Sequence, residues 1–272
     1  MIDNPRSPRV RAVAKLAKRE ARDSTGLFLL EGPQAVAEAL EFRPDLVREL
    51  FGTPTALARY TDLSLSAARE GLEVEFVTEQ VLESMADTVT PQGVIAVCQQ
   101  FPTSLRHLLK PAGDDPMLVA ILEEVRDPGN AGTIVRAADA AGADAVVFSG
   151  RSVDLYNPKV VRSSTGSIFH LPVAVGAELP AVLERARAAG LQILAADIKG
   201  DDLLTARQEG VLARPTAWLF GNEARGLPDE YLELADRAIA VPIYGHAESM
   251  NLATAASVCL YESAFAQRSA VG

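Results

Sequence analysis

Five polar side chains suited to holding and orienting a reactant fall in three short segments of the last 150 residues. The segments are EEVRDPGNAGTIVRAADAAGA (123–143), LFGNEARGLP (219–228) and VPIYGHAESMNLATAASVCLYE (241–262), and the side chains are Asn130, Arg136, Glu223, Ser249 and Asn251. Together they offer amides, a hydroxyl, one carboxylate and one fixed positive charge, which is chemistry for binding and charge stabilisation rather than for metal ligation. Each has a plainer reading. Pro128-Gly129-Asn130 is a turn that opens a helix, Glu223 an ordinary loop carboxylate, and Ser249 a helix N-cap. Arg136 is harder to dismiss: in the small, apolar helix TIVRAADAAGA a buried charge is costly without a partner. Asn251, placed one or two positions inside the last helix, is not explained as a cap. Gly221 and Gly226 let backbone approach a flat ligand such as adenine.

The elements that must position these residues are those of an α/β fold. Each segment begins as an apolar strand-like run and breaks into a Gly/Pro/Asn-rich loop, and the first and third then enter Ala-rich helices. Loops at strand ends are where such sheets bind ligands. From Met117 the pattern predicts strands at 117–123, 144–149, 171–175, 191–196 and 215–220, and helices at 131–142, 157–164, 178–189 and 250–268. Residues 1–100 form a smaller α/β series: a basic amphipathic helix at 7–22, strands at 26–32, 46–52, 72–78 and 93–100, and helices at 34–42, 54–70 and 78–86. The stretch 101–116, FPTSLRHLLKPAGDDP, is the expected linker, which leaves 117–272 as the second domain. The first strand of that domain is followed by DPGNAG, not G-x-G-x-x-G, which disfavours an NAD enzyme.

Composition narrows the class further. The chain has 272 residues, 48% of them hydrophobic, enough for one large core or two ordinary ones. No apolar run is long enough to span a bilayer, and the first residues do not read as a secretory signal, so a cytoplasmic location without a membrane is expected. Cys98 and Cys259 are far apart and lie in apolar runs, reading as buried reduced thiols. His107, His170 and His246 are scattered, and no metal is expected. A net charge of −10 opposes nucleic-acid binding for the protein as a whole. Charge acts locally, however, within roughly 8–10 Å. Among residues 1–22, seven basic residues, including Arg11, Lys15, Arg19 and Arg22, face only Asp3 and Glu20. This run reads either as a solvated helix face or as a phosphate-contacting one.

Taken together, the order Asn130–Arg136, then Glu223, then Ser249-x-Asn251 resembles the three motifs of the SpoU (TrmH-type) RNA ribose methyltransferases, of the SPOUT superfamily. The family's Gly-Asn-Glu-Gly reads Gly221-Asn222-Glu223-Ala224 here, its Ile-Pro-Met reads Val241-Pro242-Ile243, and its Ser-Leu-Asn reads Ser249-Met250-Asn251. Ala224 would resist a positive φ at that place. The pattern from Arg22 to Leu40 resembles the ribosomal-protein-like RNA-binding domain that precedes many such catalytic domains. The resemblance implies a C-terminal domain with a parallel sheet and a deep trefoil knot, S-adenosylmethionine as cofactor, and a ribose 2′-hydroxyl of RNA, 23S ribosomal RNA first, as methyl acceptor. Transfer RNA, or a non-catalytic RNA-binding role, are the alternatives. It assigns Arg136 to the hydroxyl or its neighbouring phosphate, and Asn130, Glu223, Ser249 and Asn251 to holding Arg136 and the cofactor. Leu219, Phe220, Gly221, Gly226, Val241, Ile243 and Met250 would line the adenosine pocket. A homodimer built partly on the last helix is implied as well.

Overall fold

The computed structural model describes residues 1–109 and 117–270, and the chain divides into two compact units. One unit comprises Met1–Phe101 with Tyr156–His170, the other Pro102–Leu155 with Leu171–Gly272. Residues 110–116 of the expected linker lie outside the described residues.

In the first unit the elements are α1 (Pro8–Lys15), α2 (Arg19–Thr25), β1 (Leu27–Glu31), α3 (Pro33–Phe42), β2 (Val47–Gly52), α4 (Pro54–Arg59), α5 (Thr61–Arg69), β3 (Val74–Phe76), α6 (Glu79–Met85) and β4 (Val94–Gln99). The sheet runs β1-β4-β2-β3, with β4 antiparallel to both neighbours and β2 parallel to β3. Sequence explains the starts: α1, α3 and α4 each open on a proline, whose missing N–H costs nothing at a first helical position. The expected single helix at 7–22 is two helices. Arg22 is the reason for the tight join, because its Nη1 donates to the carbonyls of Leu16 (2.8 Å) and Ala17 (2.9 Å) between them. Arg22 is only 2% exposed, so the expectation that it contacts RNA phosphate is corrected: it is a structural clamp. Val10, Val13 and Leu16 are buried as predicted, and Arg11 and Lys15 stand exposed on the other side of α1. Arg19 is exposed and pairs with Asp23 at 3.4 Å. The predicted helix at 54–70 is likewise two, broken at Tyr60.

Residues 156–170, expected within the second domain, pack with the first unit. Tyr156 and Phe169 close an aromatic cluster with Phe28 and Phe101. Arg162 pairs with Glu31 and Asp87, each at 2.9 Å. Contacts so distant in sequence leave no local pattern to read.

Further along the chain are α7 (Leu105–Leu108), β5 (Leu118–Glu123), α8 (Pro128–Ala141), β6 (Ala145–Ser149), α9 (Pro158–Ser164, of the first unit), β7 (Val173–Ala177), α10 (Leu179–Ala188), β8 (Gln192–Asp202), α11 (Leu203–Gln208), β9 (Thr216–Phe220), α12 (Asp229–Leu232), β10 (Arg237–Ala240) and α13 (Leu252–Ala270). The second unit's sheet is parallel throughout, ordered β10-β8-β9-β5-β6-β7. Strands β5, β6 and β9 are buried along their whole length, as continuous apolar runs in a covered parallel sheet should be. The chain leaves β5 toward β6 and β7 and returns on the other flank as β8, β9 and β10, so the order reverses between β5 and β9. Ligands bind at such a switch point in doubly wound sheets. The sixth strand, β10, is absent from the strands the pattern predicts: the apolar run begins at 241, whereas pairing with β8 takes Arg237–Ala240. Helix α13 packs on α8 and β9; its Ser263 hydroxyl accepts from the buried Trp218 indole N–H at 2.9 Å. Cys259, buried in α13, has its thiol pushed up to about 12 by burial, and Cys98 is raised by the same cause. Both are inert thiols.

Candidate active site

At the switch point the three polar segments meet. Asp127 caps α8 by accepting from the Asn130 N–H at 2.8 Å, with Pro128 in the first helical position. This fixes the direction of the loop between β5 and α8. The Glu223 carboxylate then fastens that loop to the one after β9: it accepts from the N–H groups of Arg126 (3.1 Å) and Asp127 (2.9 Å) and from Asn130 Nδ2 (3.4 Å). Asn251 completes the chain, donating from Nδ2 to Asn130 Oδ1 at 2.9 Å. Its own Oδ1 accepts from the N–H groups of Ala253 (2.9 Å) and Thr254 (3.2 Å).

Asn251 is therefore the N-cap of α13, and the expectation that it lies inside the helix is corrected. The helix starts at Leu252, two residues later than predicted, because an asparagine satisfies the first N–H groups and the apolar Met250 before it does not. Ser249 caps nothing; it sits exposed in the long loop 241–250. The cap and the link to Asn130 use opposite ends of one amide, so the side chain makes both at once.

Arg136 needs the second correction. It is exposed on α8, not buried among Ala and Val, since the buried positions of that helix are Ala131, Gly132, Ile134, Val135, Ala138 and Ala141. The cost of burying a charge therefore gives no reason for its presence. Its guanidinium is exposed on α8, the helix that begins beside the switch point.

The loop after β9 is shaped by residues the sequence reading passed over. Asn222 Oδ1 accepts from the N–H groups of Ala224 (3.0 Å) and Arg225 (3.2 Å), and its Nδ2 donates to the Glu124 carbonyl at 2.9 Å. Glu124 holds a positive φ of 52°, and Arg225 donates to its carboxylate at 2.7 Å. The left-handed turn of the loop falls on Gly226 at +66°, so Ala224 carries no such strain. Gly221 is required for another reason: a Cβ there would stand 2.6 Å from the Gly226 carbonyl carbon. The flanking Asn–Glu–x–x–Gly spacing was the available signal for Asn222; nothing local announced the backbone of Glu124.

Of the expected cofactor-lining residues, Leu219, Phe220 and Gly221 are buried at the end of β9. The Phe220 ring stacks on Trp218 at 6.1 Å, so only its backbone is left to face a ligand. Val241, Ile243 and Met250 lie on the 241–250 loop, partly to substantially exposed, and Gly226 is exposed at the turn. Among the described residues no group of His, Cys, Asp and Glu side chains could hold a metal, and no helix is long and apolar enough to cross a membrane.

A parallel sheet with its order reversed at a triad of Asn, Glu and Asn defines the class, and comparison with known proteins names it. Residues 117–261 match the SpoU rRNA Methylase family, and residues 7–96 match the MRM3-like substrate binding domain. The chain belongs to the SpoU rRNA methylase family. It is 33% identical over 260 residues to the 23S rRNA (guanosine(2553)-2'-O)-methyltransferase RlmP of Bacillus subtilis, covering 96% of this chain and 97% of that protein. To the 23S rRNA (uridine(2479)-2'-O)-methyltransferase of Streptomyces viridochromogenes it is 32% identical, covering 92% and 86%. The crystal structure of an AdoMet-bound rRNA methyltransferase from Sinorhizobium meliloti superposes with a TM-score of 0.82 at 30% identity, covering 96% of both chains.

Proposed function

We propose that this protein transfers the methyl group of S-adenosylmethionine to a ribose 2′-hydroxyl of ribosomal RNA, 23S rRNA first. The observation that carries it is the hydrogen-bonded chain Glu223–Asn130–Asn251 at the switch point, with Arg136 exposed on the same helix as Asn130. The bound sulfonium would supply an already activated methyl group. The protein's task is to orient the acceptor hydroxyl and to stabilise the charge that develops as its proton leaves. Arg136 presents a permanent positive charge to the 2′-oxygen or the adjacent phosphate. Asn130 cannot swing away, because both its side-chain oxygen and its side-chain nitrogen are held. The backbone of Leu219, Phe220, Gly221, Gly226, Val241 and Ile243, with the Met250 side chain, would receive the cofactor. The close Gly221–Gly226 approach fits that role, since it leaves bare peptide where a flat ring can lie.

In the same reading the first unit binds RNA, with Arg11, Lys15 and Arg19 as the phosphate-facing residues, and the second unit carries the trefoil knot of its family. The active form is a cytoplasmic homodimer joined through α13. Phe265, half exposed and packed on Tyr261 at 5.5 Å, supports that interface.

The test is methylation of 23S rRNA from a strain lacking the enzyme, with Arg136→Ala beside the wild type. The variant should lose roughly 3–4 kcal/mol of transition-state stabilisation, a 100- to 1000-fold fall in single-turnover rate. Its melting temperature and its cofactor affinity by titration calorimetry should be unchanged, because the side chain is exposed. A folded variant that keeps more than about a tenth of the rate removes Arg136 from the mechanism.

A further inference from the structure

Beside the loop 221–228 a cleft of about 290 Å³ opens, lined by Glu123, Glu124, Asn222, Arg225, Gly226 and Tyr231 among others. Of its lining only Gly226 has a part in the mechanism above, through its backbone. Most of its polar groups are already engaged. Both ends of the Asn222 amide are bonded to backbone, and the Glu124 carboxylate accepts from Arg225 and lies 3.6 Å from Arg126.

Glu123 is different. It ends β5, is only 4% exposed, and its Oε2 accepts from the Ser149 hydroxyl at 2.5 Å. Among the described residues nothing donates to its Oε1. Burial raises its affinity for a proton, against the Ser149 bond, which lowers it. The wall beside it has no side chain: a Cβ on Gly150 would come within 2.5 Å of Oε1. Tyr231, partly buried on the rim of the core beside Leu227, offers a hydroxyl that donates to no described residue. The cleft is thus lined by a buried carboxylate, with one oxygen held by Ser149 and the other without a described donor, and by a phenol.

We propose that this cleft receives an unstacked guanine of the substrate RNA, its N1–H and N2–H donors on the Glu123 carboxylate and its O6 on the Tyr231 hydroxyl. This rests on the RNA methyltransferase reading. Unstacked bases of single-stranded RNA are read by hydrogen bonds to their Watson–Crick edges. Of the four bases guanine alone places two donors side by side next to an acceptor. Adenine and uracil each set an acceptor against one carboxylate oxygen. Cytosine presents a single donor.

The experiment is saturation-transfer NMR of the full-length protein with S-adenosylmethionine present, using GMP, IMP, AMP, CMP and UMP as probes at millimolar concentration. GMP should bind roughly 10-fold or more tightly than AMP, CMP or UMP. IMP, which lacks the N2 amino group, should fall between. This comparison needs no variant and so no assumption about folding. Glu123→Gln, with its melting temperature checked, should level the five affinities, and Tyr231→Phe should weaken GMP while keeping IMP below it. A wild-type protein that binds GMP no better than AMP, or a folded Glu123→Gln that keeps the preference, overturns the proposal. So does a Glu123→Gln variant that loses cofactor affinity with nucleotide binding unchanged, which would give the cleft to the cofactor's amino-acid end. Methylation of 23S rRNA is measured on the same preparation. Methyl transfer without guanine preference overturns the cleft alone, and absence of methyl transfer overturns the reading of function.

Discussion

Two buried carboxylates end the first strands of the two units, and their surroundings could hardly differ more. Glu31, at the end of β1, accepts from the N–H groups of Asp87 and Thr88 at 3.2 Å each, from the Thr88 hydroxyl at 2.8 Å, and from Arg162 at 2.9 Å. Glu123, at the end of β5, accepts from Ser149 alone among the described residues. A buried charge surrounded by donors is part of the scaffold. One left half satisfied keeps capacity for something that is not part of the chain. The first unit uses its charges on itself, as Arg22 on the Leu16 and Ala17 carbonyls also shows. The second unit leaves at least Glu123 with a single described donor.

Substitutions can break this contrast. Glu31→Ala should have the largest effect on stability, because it strands three donors and removes a buried partner of Arg162. A loss of roughly 3 kcal/mol, read as a shift of the urea midpoint, is expected. A loss below about 1 kcal/mol would make Glu31 no more structural than a surface ion pair. Asn251→Ala stands between the extremes, since that residue caps α13 and, in the proposed function, also belongs to the site. Losing the cap of α13 should cost about 1 kcal/mol, and methyl transfer should fall by more than the unfolded fraction explains. A rate that tracks stability alone would reduce Asn251 to a cap. Glu123→Gln should have the smallest effect at neutral pH, leaving stability unchanged or slightly raised. Its signature lies in pH dependence. Burial raises the Glu123 pKa in the folded state, so the native protein holds the proton more tightly than the unfolded chain. This group's contribution therefore worsens as pH climbs above the ordinary carboxyl value of about 4.3 toward the folded value. Urea titrations across that window should show a falling stability that flattens in Glu123→Gln. An equal slope in both proteins would deny that the carboxyl is poorly satisfied.

Much of this architecture was legible because it is local. Apolar runs broken by Gly, Pro and Asn mark the strand ends, and the segments carrying Asn130, Glu223 and Asn251 stand out by their residue types alone. What escaped depends on distant partners or on one-residue detail. Arg22 belongs to the same basic run as Arg11 and Lys15, yet burial at a helix–helix join makes it structural. Arg136 was expected to be buried because its neighbours are small; in an Ala-rich helix even an exposed face carries few polar residues. Met250 extended the apolar pattern across the true cap at Asn251. The surroundings of the Glu123 carboxylate depend on Gly150 and Ser149, one strand away, and no motif announces them.

The packing of residues 156–170 with the first unit also has a consequence for synthesis. At roughly 5–20 residues per second, the ribosome completes residue 101 several seconds before it delivers Tyr156, Arg162 and Phe169. During that interval β1 is made, but Phe28 lacks two of its aromatic neighbours and Glu31 its arginine. The amino-terminal segment of this chain therefore emerges first and finishes folding late, with its last pieces supplied by residues 156–170.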